Sequence, residues 1–259
     1  MDSSRYFYLI QLQYLGFRYS GWQKQPDVLT VEGMVSRTLS YVFGHKNFKL
    51  LASGRTDAKV SANRAYVELF LDGDPLVIDQ FLPKFNENLP PDIRALEIRE
   101  IDAEFNIINA PTAKEYLYLF SFGSKAHPFA APFMTTILGD LDVGRMKQAA
   151  KLFEGTHDFK NYAYKPNPGT KTVGTVIKSE IVVNDLYTAN FFPEKSYVFR
   201  IRGKGFKRHQ IRLMMGMLFD IGQGKVDMDF LKQTLEPGTT IKLEYIAPAS
   251  GLILNEVIL

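Results

Sequence analysis

Two short segments of this chain combine residue types that could do chemistry. Gly54-Arg55-Thr56-Asp57-Ala58 sets a guanidinium and a carboxylate two residues apart, behind a glycine that lets the backbone turn. The functional reading is a carboxylate presented at a strand end. The guanidinium beside it suits a phosphate or a base. The plain alternative is a solvated turn closed by an exposed salt bridge. The second segment runs Gly203-Lys204-Gly205-Phe206-Lys207-Arg208-His209-Gln210-Ile211-Arg212. Lys204, Lys207, Arg208 and His209 gather where a strand is expected to give way to a helix. Helix N-termini attract anions, and added basic side chains make a phosphate site. Arg208 and Arg212 stand four apart and are expected on one helix face. The alternative is a solvated first turn above a core of Met214, Met215, Met217 and Leu218. Cations at a helix N-terminus oppose its dipole, so this reading calls for an acidic neighbour or a bound phosphate.

Gly21-Trp22-Gln23-Lys24-Gln25-Pro26 holds the only tryptophan, which reads as a core or hinge aromatic. Other site classes are weakly represented. There is no GxxxxGK[ST] phosphate loop, and Gly203-Lys204-Gly205 lacks the third glycine of a dinucleotide fingerprint. His45, His127, His157 and His209 lie far apart and read as capping or core residues rather than metal ligands.

The elements that must carry these segments follow from hydrophobic periodicity and breakers. Tyr6 to Tyr14 reads as a strand. Val31, Met34, Val35, Leu39 and Val42 follow helical spacing after Thr30, with Gly44 just past the end. Phe48 to Ala52 and Ala62 to Leu71 are strands on either side of the Asp57 loop. Val77 to Asn86 is a helix, stopped by Leu89-Pro90-Pro91-Asp92, and Ile93 to Ile101 a strand. This is β-α-β-β-α-β, the order of a ferredoxin-like or RRM-like unit. The second half repeats that content in outline. Tyr116 to Phe122 is a strand, and a loop with Pro128 and Pro132 follows. Val143 to Phe153 is a helix. One strand is expected within Gly169 to Asp185 and another at Tyr197 to Arg202. Lys207 to Ile221 is a long helix, Phe230 to Leu235 a short one, and Leu252 to Ile258 a closing strand. The fold class is α+β in two halves, residues 1–105 and 106–259.

Composition bounds the rest. The chain has 259 residues, enough for one large domain or two modest ones. With 46% hydrophobic and 23% charged residues, it is not a disordered chain. It has no cysteine, which excludes a disulfide framework, a cysteine metal site and a thiol nucleophile. The formal net charge of +3 permits a nucleic-acid partner without requiring one. No apolar run nears the roughly 18 residues of a membrane span. Met1-Asp2-Ser3-Ser4-Arg5-Tyr6 lacks a signal-peptide profile, so a cytoplasmic protein is expected.

Taken together, the segments resemble the TruA family of tRNA pseudouridine synthases over nearly the whole chain. The matching motifs are Gly-Trp-Gln-x-Gln at Gly21 to Gln25, Gly-Arg-Thr-Asp-Ala at Gly54 to Ala58, and Leu-Pro-x-Asp-Ile at Leu89 to Ile93. They continue with the tyrosine pair Tyr116 and Tyr118, Gly-x-His-Asp-Phe at Gly155 to Phe159, and Gln-Ile-Arg at Gln210 to Arg212. Ala-Pro-Ala-x-Gly-Leu-x-Leu at Ala247 to Leu254 closes the series. The resemblance implies two α+β halves forming an extended antiparallel sheet with a central cleft. It implies isomerisation of uridine to pseudouridine in the anticodon stem-loop of tRNA, by a homodimer. It makes Asp57 the catalytic aspartate, with Arg212 as its partner. Arg55 would hold the RNA with the target base flipped out, and Tyr116 would stack on that base. The reaction is an isomerisation, so no cofactor or metal is implied. The chain departs from the family pattern at Leu15, Lys59, Ser61, Ile108 and Gly174. These departures keep a second reading open, a non-catalytic RNA-binding paralogue of the same fold.

Overall fold

The computed structural model describes residues 4–167 and 169–259, so Met1, Asp2 and Ser3 of the N-terminal reading lie outside the described residues. Among the described residues it holds ten strands and five α-helices. The chain divides into two compact units, Met1–Thr112 with Leu254–Leu259, and Ala113–Ile253.

The first unit runs β1 (Arg5–Tyr14), α1 (Val31–Phe43), β2 (Phe48–Ala52), β3 (Ser61–Asp72), α2 (Ile78–Asn88) and β4 (Ile93–Glu100). Its strands lie in the order β4-β1-β3, with β2 on the far side of β3, all antiparallel. This is the split β-α-β arrangement expected from the element order. The helix α1 starts where Thr30 accepts a hydrogen bond from Gly33 N at 3.2 Å. It ends at Gly44, whose φ of 75° suits the left-handed cap. Val31, Val35 and Leu39 are its buried stripe.

The second unit runs β5 (Ala113–Gly123), β6 (Thr135–Leu138), α3 (Val143–Lys151), β7 (Gly155–Asp158), β8 (Val173–Val183), β9 (Tyr197–Gly203), α4 (Gln210–Gly222) and α5 (Met228–Leu235). The final strand, β10 (Leu252–Ile258), follows. Within this unit β5, β9, β8 and β7 are neighbours in that order. The sequence β5-α3-β8-β9-α4 thus repeats β1-α1-β2-β3-α2, with the third strand between the first and second in each sheet. Leu117, Leu119 and Val198 form a core cluster with Ala130, Met134 and Ile253.

Two short strands were not expected. Thr135–Leu138 pairs with β5 in parallel, and Gly155–Asp158 pairs with β8. Four residues are too few to establish a period. A further correction concerns α4. The basic residues Lys207, Arg208 and His209 precede the helix, which starts at Gln210. His209 takes a φ of 58°, outside the right-handed helical region. Gln210 N donates to Lys207 O at 3.0 Å, and Lys207 N donates back to Gln210 Oε1 at 2.8 Å. This closed turn holds the basic residues out of the helix. Arg208 and Arg212 therefore do not share a helix face.

Candidate active-site residues

In the first unit, the Gly54–Ala58 loop is tied to the segment that follows β1. Trp22 N donates to Thr56 O at 3.1 Å, Lys59 N donates to Tyr19 O at 3.0 Å, and Val60 N donates to Asp57 O at 3.2 Å. The Tyr14 and Thr56 hydroxyls meet at 2.9 Å in a buried bond. Gly21, with φ of 99°, lies so close that a Cβ there would stand 2.8 Å from Thr56 O and 3.2 Å from Ala58 N. A glycine is required on both counts. Helix α1 supports this strip, because Val31 N and Glu32 N donate to the carbonyls of Gly21 and Trp22 at 3.1 and 2.9 Å. Trp22 is buried against Tyr14 with ring centroids 6.1 Å apart, so the core-aromatic reading holds for it.

Asp57 is half-buried and Arg55 exposed. Arg55 donates from Nη1 to Gln23 Oε1 at 2.7 Å, which joins the two glycine-led loops by their side chains. Lys59 follows with a φ of 67°, and its ammonium lies 5.7 Å from the centroid of Phe17. Ser61 accepts a hydrogen bond from Gly16 N at 2.9 Å.

A second brace comes from Asp92. Its carboxylate takes a bidentate hydrogen bond from Arg18 and a 2.7 Å bond from the Tyr19 hydroxyl, while its carbonyl accepts from Leu15 N at 2.9 Å. Burial alone would raise the Asp92 carboxyl, but these two donors hold it below the usual carboxylate range. Burial and the Asp92 carboxylate together push the Tyr19 phenol well up, so it stays a neutral donor. The motif Leu-Pro-x-Asp-Ile thereby acquires a physical role. Its aspartate fixes the segment whose Tyr19 carbonyl receives Lys59 N.

In the second unit, Tyr116 and Tyr118 share one face of β5. Tyr118 is fully buried. Its hydroxyl donates to Pro248 O at 2.7 Å and meets Thr135 Oγ1 at 2.8 Å. Tyr116 is half-buried, and Phe206 approaches it edge-on with centroids 5.4 Å apart. Lys114 lies on the same face, and burial pushes its ammonium down from the ordinary lysine value. Arg212, in the first turn of α4, donates from Nε to Ala247 O at 2.7 Å and accepts Ala247 N on its own carbonyl at 3.1 Å. Ala247 and Pro248 belong to the Ala-Pro-Ala motif, so that motif anchors both Arg212 and the strand carrying Tyr116.

Lys204 and Arg208 are exposed, and Lys207 and His209 half-buried. Arg208 and His209 gather on a residue that sequence reading did not single out. The Arg208 guanidinium lies 5.3 Å from the centroid of Tyr164, and the His209 imidazole 4.6 Å from it. The signal was an aromatic–basic pair, Tyr164-Lys165, ahead of Pro166. It is too short to stand out in a chain with 13 tyrosines. The other histidines serve the backbone locally. His45 and His127 accept from Asn47 N and Phe129 N, each at 3.2 Å, and His157 bonds Glu154 O at 2.8 Å.

Arg55 and Asp57 thus lie on one braced loop of the first unit. In the second the structure places Tyr116, Arg212 and the basic loop. Each set is anchored by residues of its own unit.

Known proteins carry these arrangements further. The sequence pattern of the tRNA pseudouridine synthase family matches residues 149–258. A protein from Geotalea uraniireducens named tRNA pseudouridine synthase A is 32% identical over 246 residues, covering 95% of this chain and 96% of its own. Its namesake from Exiguobacterium sibiricum is 31% identical over 247 residues, covering 95% of this chain and 94% of its own. One from Clostridium kluyveri is 28% identical over 247 residues, with 95% and 96% covered. With that identity sustained from end to end, the chain belongs to the tRNA pseudouridine synthase A family.

Proposed function

We propose that this chain isomerises uridine to pseudouridine in the anticodon stem-loop of tRNA, with Asp57 as the catalytic carboxylate. Family membership supports the reaction and the class of substrate. The observation that carries the assignment of Asp57 is how its loop is held. Two backbone hydrogen bonds to the segment after β1, the Tyr14–Thr56 bond and the close approach of Gly21 fix a loop that a mere surface turn would leave to solvent.

The chemistry needs such a group. The N1–C1′ bond of the uridine breaks, the base turns, and a C5–C1′ bond forms. C5 then loses its proton and N1 gains one, so the atoms balance. A carboxylate serves this sequence by stabilising positive charge at C1′, by attacking as a nucleophile, or by assisting loss of the C5 proton. The target nucleotide must leave its stack before it can react. Tyr116 supplies an aromatic face for the extruded base, oriented by Phe206. Arg55 faces the RNA beside Asp57, and the family resemblance assigns Arg212 as the partner of the catalytic carboxylate. Lys204, Lys207, Arg208 and His209 meet backbone phosphates.

The departures from the family pattern are absorbed by the fold. Ser61 bonds the Gly16 amide, Lys59 adopts the turn of its loop, and Leu15 donates its amide to Asp92 O. A Cβ at Gly174 would make only ordinary contact, 3.6 Å from Phe159. Ile108 is exposed. None of these disturbs the supports of Asp57, which favours the enzyme over the non-catalytic paralogue. The resemblance also supports a cytoplasmic homodimer, and sedimentation at micromolar concentration reads the dimer directly. No helix among the described residues is long and apolar enough to cross a membrane.

The test is tritium release from tRNA labelled at uridine C5, followed by mapping of the modified positions. Release with pseudouridine in the anticodon stem-loop is expected. Tight tRNA binding without release would establish the non-catalytic reading instead.

A further inference from the structure

The basic loop ahead of α4 is built around one ring. Tyr164 N donates to Arg208 O at 3.0 Å, which pins residues 163–165 to residues 207–209. The Arg208 guanidinium stands 5.3 Å from the Tyr164 ring centroid, Lys165 Nζ 5.4 Å, and the His209 ring 4.6 Å at an interplanar angle of 32°. Two cations and an imidazole therefore share a single aromatic side chain. Such contacts are attractive at exposed sites, and the repulsion between the two cations opposes them. Among the described residues, no carboxylate lies within salt-bridge distance of Lys165 or Arg208. The Lys165 and Arg208 charges are left for an anion outside the chain.

The backbone adds a second observation. Four non-glycine residues have positive φ among those described, and two of them, Lys165 at 45° and His209 at 58°, are in this cluster. Non-glycine residues in that region carry strain that persists only where surrounding contacts impose it, and such residues gather at binding sites. Here the imposed geometry turns Lys165 and Arg208 toward the same ring.

We infer that Tyr164 is a positioning residue whose ring assembles Lys165, Arg208 and His209 into one clamp for a backbone phosphate of the RNA substrate. This rests on the reading of the chain as a tRNA-modifying enzyme, and it adds Tyr164 and Lys165 to the residues that recognise RNA. The ring contributes its face rather than its hydroxyl. The clamp is indifferent to base identity, because it takes a phosphate.

The experiment measures tRNA affinity from low to moderate salt, together with steady-state kinetics, for wild type, Tyr164→Leu, Tyr164→Phe, Arg208→Gln and the double variant Tyr164→Leu/Arg208→Gln. Tyr164→Leu should weaken binding about as much as Arg208→Gln does. It should reduce the salt slope by roughly 0.7–0.9, the value of one phosphate contact. The loss should fall on KM far more than on kcat. Tyr164→Phe should recover most of it, and the double variant should be no worse than the stronger single one. If Tyr164→Leu does not fold, as read by thermal melting, Lys165→Gln and Arg208→Gln test the same clamp, since both side chains are exposed. A wild-type salt slope in folded Tyr164→Leu, or in Lys165→Gln, overturns the clamp and leaves the enzymatic reading standing. Wild-type protein that neither binds nor modifies tRNA overturns both.

Discussion

The Asp57 loop and the basic loop ahead of α4 are placed alike and built differently. Each follows a strand, and each contains a non-glycine residue forced to positive φ, Lys59 at 67° in one and His209 at 58° in the other. The Asp57 loop is laced through its backbone, by amides of Trp22, Lys59 and Val60 and by the bare approach of Gly21. The basic loop has backbone ties too, Lys204 N to Thr175 O and Tyr164 N to Arg208 O, but it adds packing of charged side chains on rings, with Arg208 and His209 resting on Tyr164 and Phe206 edge-on to Tyr116. Backbone lacing leaves little freedom and suits a group that must meet a reacting atom, where an error of about 1 Å can cost a hundredfold in rate. Cation–ring packing has no such exact registration. It suits phosphates, which are met by charge and can be met from several positions.

The sharpest way to break this comparison is Asp57→Asn. Shape and hydrogen-bonding capacity are kept, while the charge and the nucleophile are lost. Turnover should fall by roughly 10³-fold or more, and tRNA affinity should hold or rise slightly because an anion has left the site. A folded variant that makes pseudouridine at the wild-type rate would refute the assignment.

Next in size is Gly21→Ala. The added methyl meets two backbone atoms of the Asp57 loop in a conformation that alanine disfavours, which should destabilise the protein by roughly 2–4 kcal/mol. In whatever folded fraction remains, kcat should drop before tRNA affinity does. A melting temperature equal to wild type would show that the lacing is softer than its geometry.

Asp92 supports the same loop at one remove, and its effect should depend on pH. Its folded-state carboxyl is held below the ordinary value by Arg18 and Tyr19. The stabilisation is therefore complete above the unfolded value of about 4, and is lost as pH falls through the folded one. Asp92→Asn should cost about 1–3 kcal/mol at neutral pH, because the Tyr19 hydroxyl and Arg18 lose a charged acceptor. The gap between variant and wild type should narrow in acid. Denaturant titrations at pH 7 and near pH 2 check the sign, and a gap that widens in acid would remove Asp92 as the anchor.

Smallest of all should be Gly205→Ala. A Cβ there has nothing within 4 Å, so stability should stay within about 0.5 kcal/mol of wild type. Set beside Gly21→Ala, it measures how much tighter the first loop is built than the second. A loss comparable to that of Gly21→Ala would erase the distinction.

Much of this was legible before any coordinates. Thr30, the apolar stripe of Val31, Val35 and Leu39, and Gly44 bound α1 because capping and periodicity are local properties. Phe48–Ala52 and Leu252–Ile258 coincide with the strands expected from their apolar runs. Thr135–Leu138 was not legible, since its strand character comes from pairing with β5. The start of α4 was misplaced by three residues for a similar reason. Lys207, Arg208 and His209 are acceptable in a helix by propensity, and it is the turn closed on Gln210 that excludes them. Among site residues, Asp57, Arg55, Tyr116 and Arg212 were named from motifs whose order along the chain carried the signal. Tyr164 had no such pattern around it, and Asp92 had a motif but no role, because what each does is a relation to residues far along the chain.

The sequence by itself determined the α+β class, the repeated element order, the family and the residue types available for chemistry. These depend on local propensity, on periodicity and on ordered motifs, all of which are written along one dimension. Only the tertiary structure decided that Asp92 braces the turn leading to Lys59, that Ala247 holds Arg212, and that Tyr164 gathers the basic loop. Each of these joins segments between 35 and 74 residues apart within one unit. Hydrogen bonds and ring contacts act over a few ångströms of space, and separation along the chain says nothing about that distance until the fold has closed it.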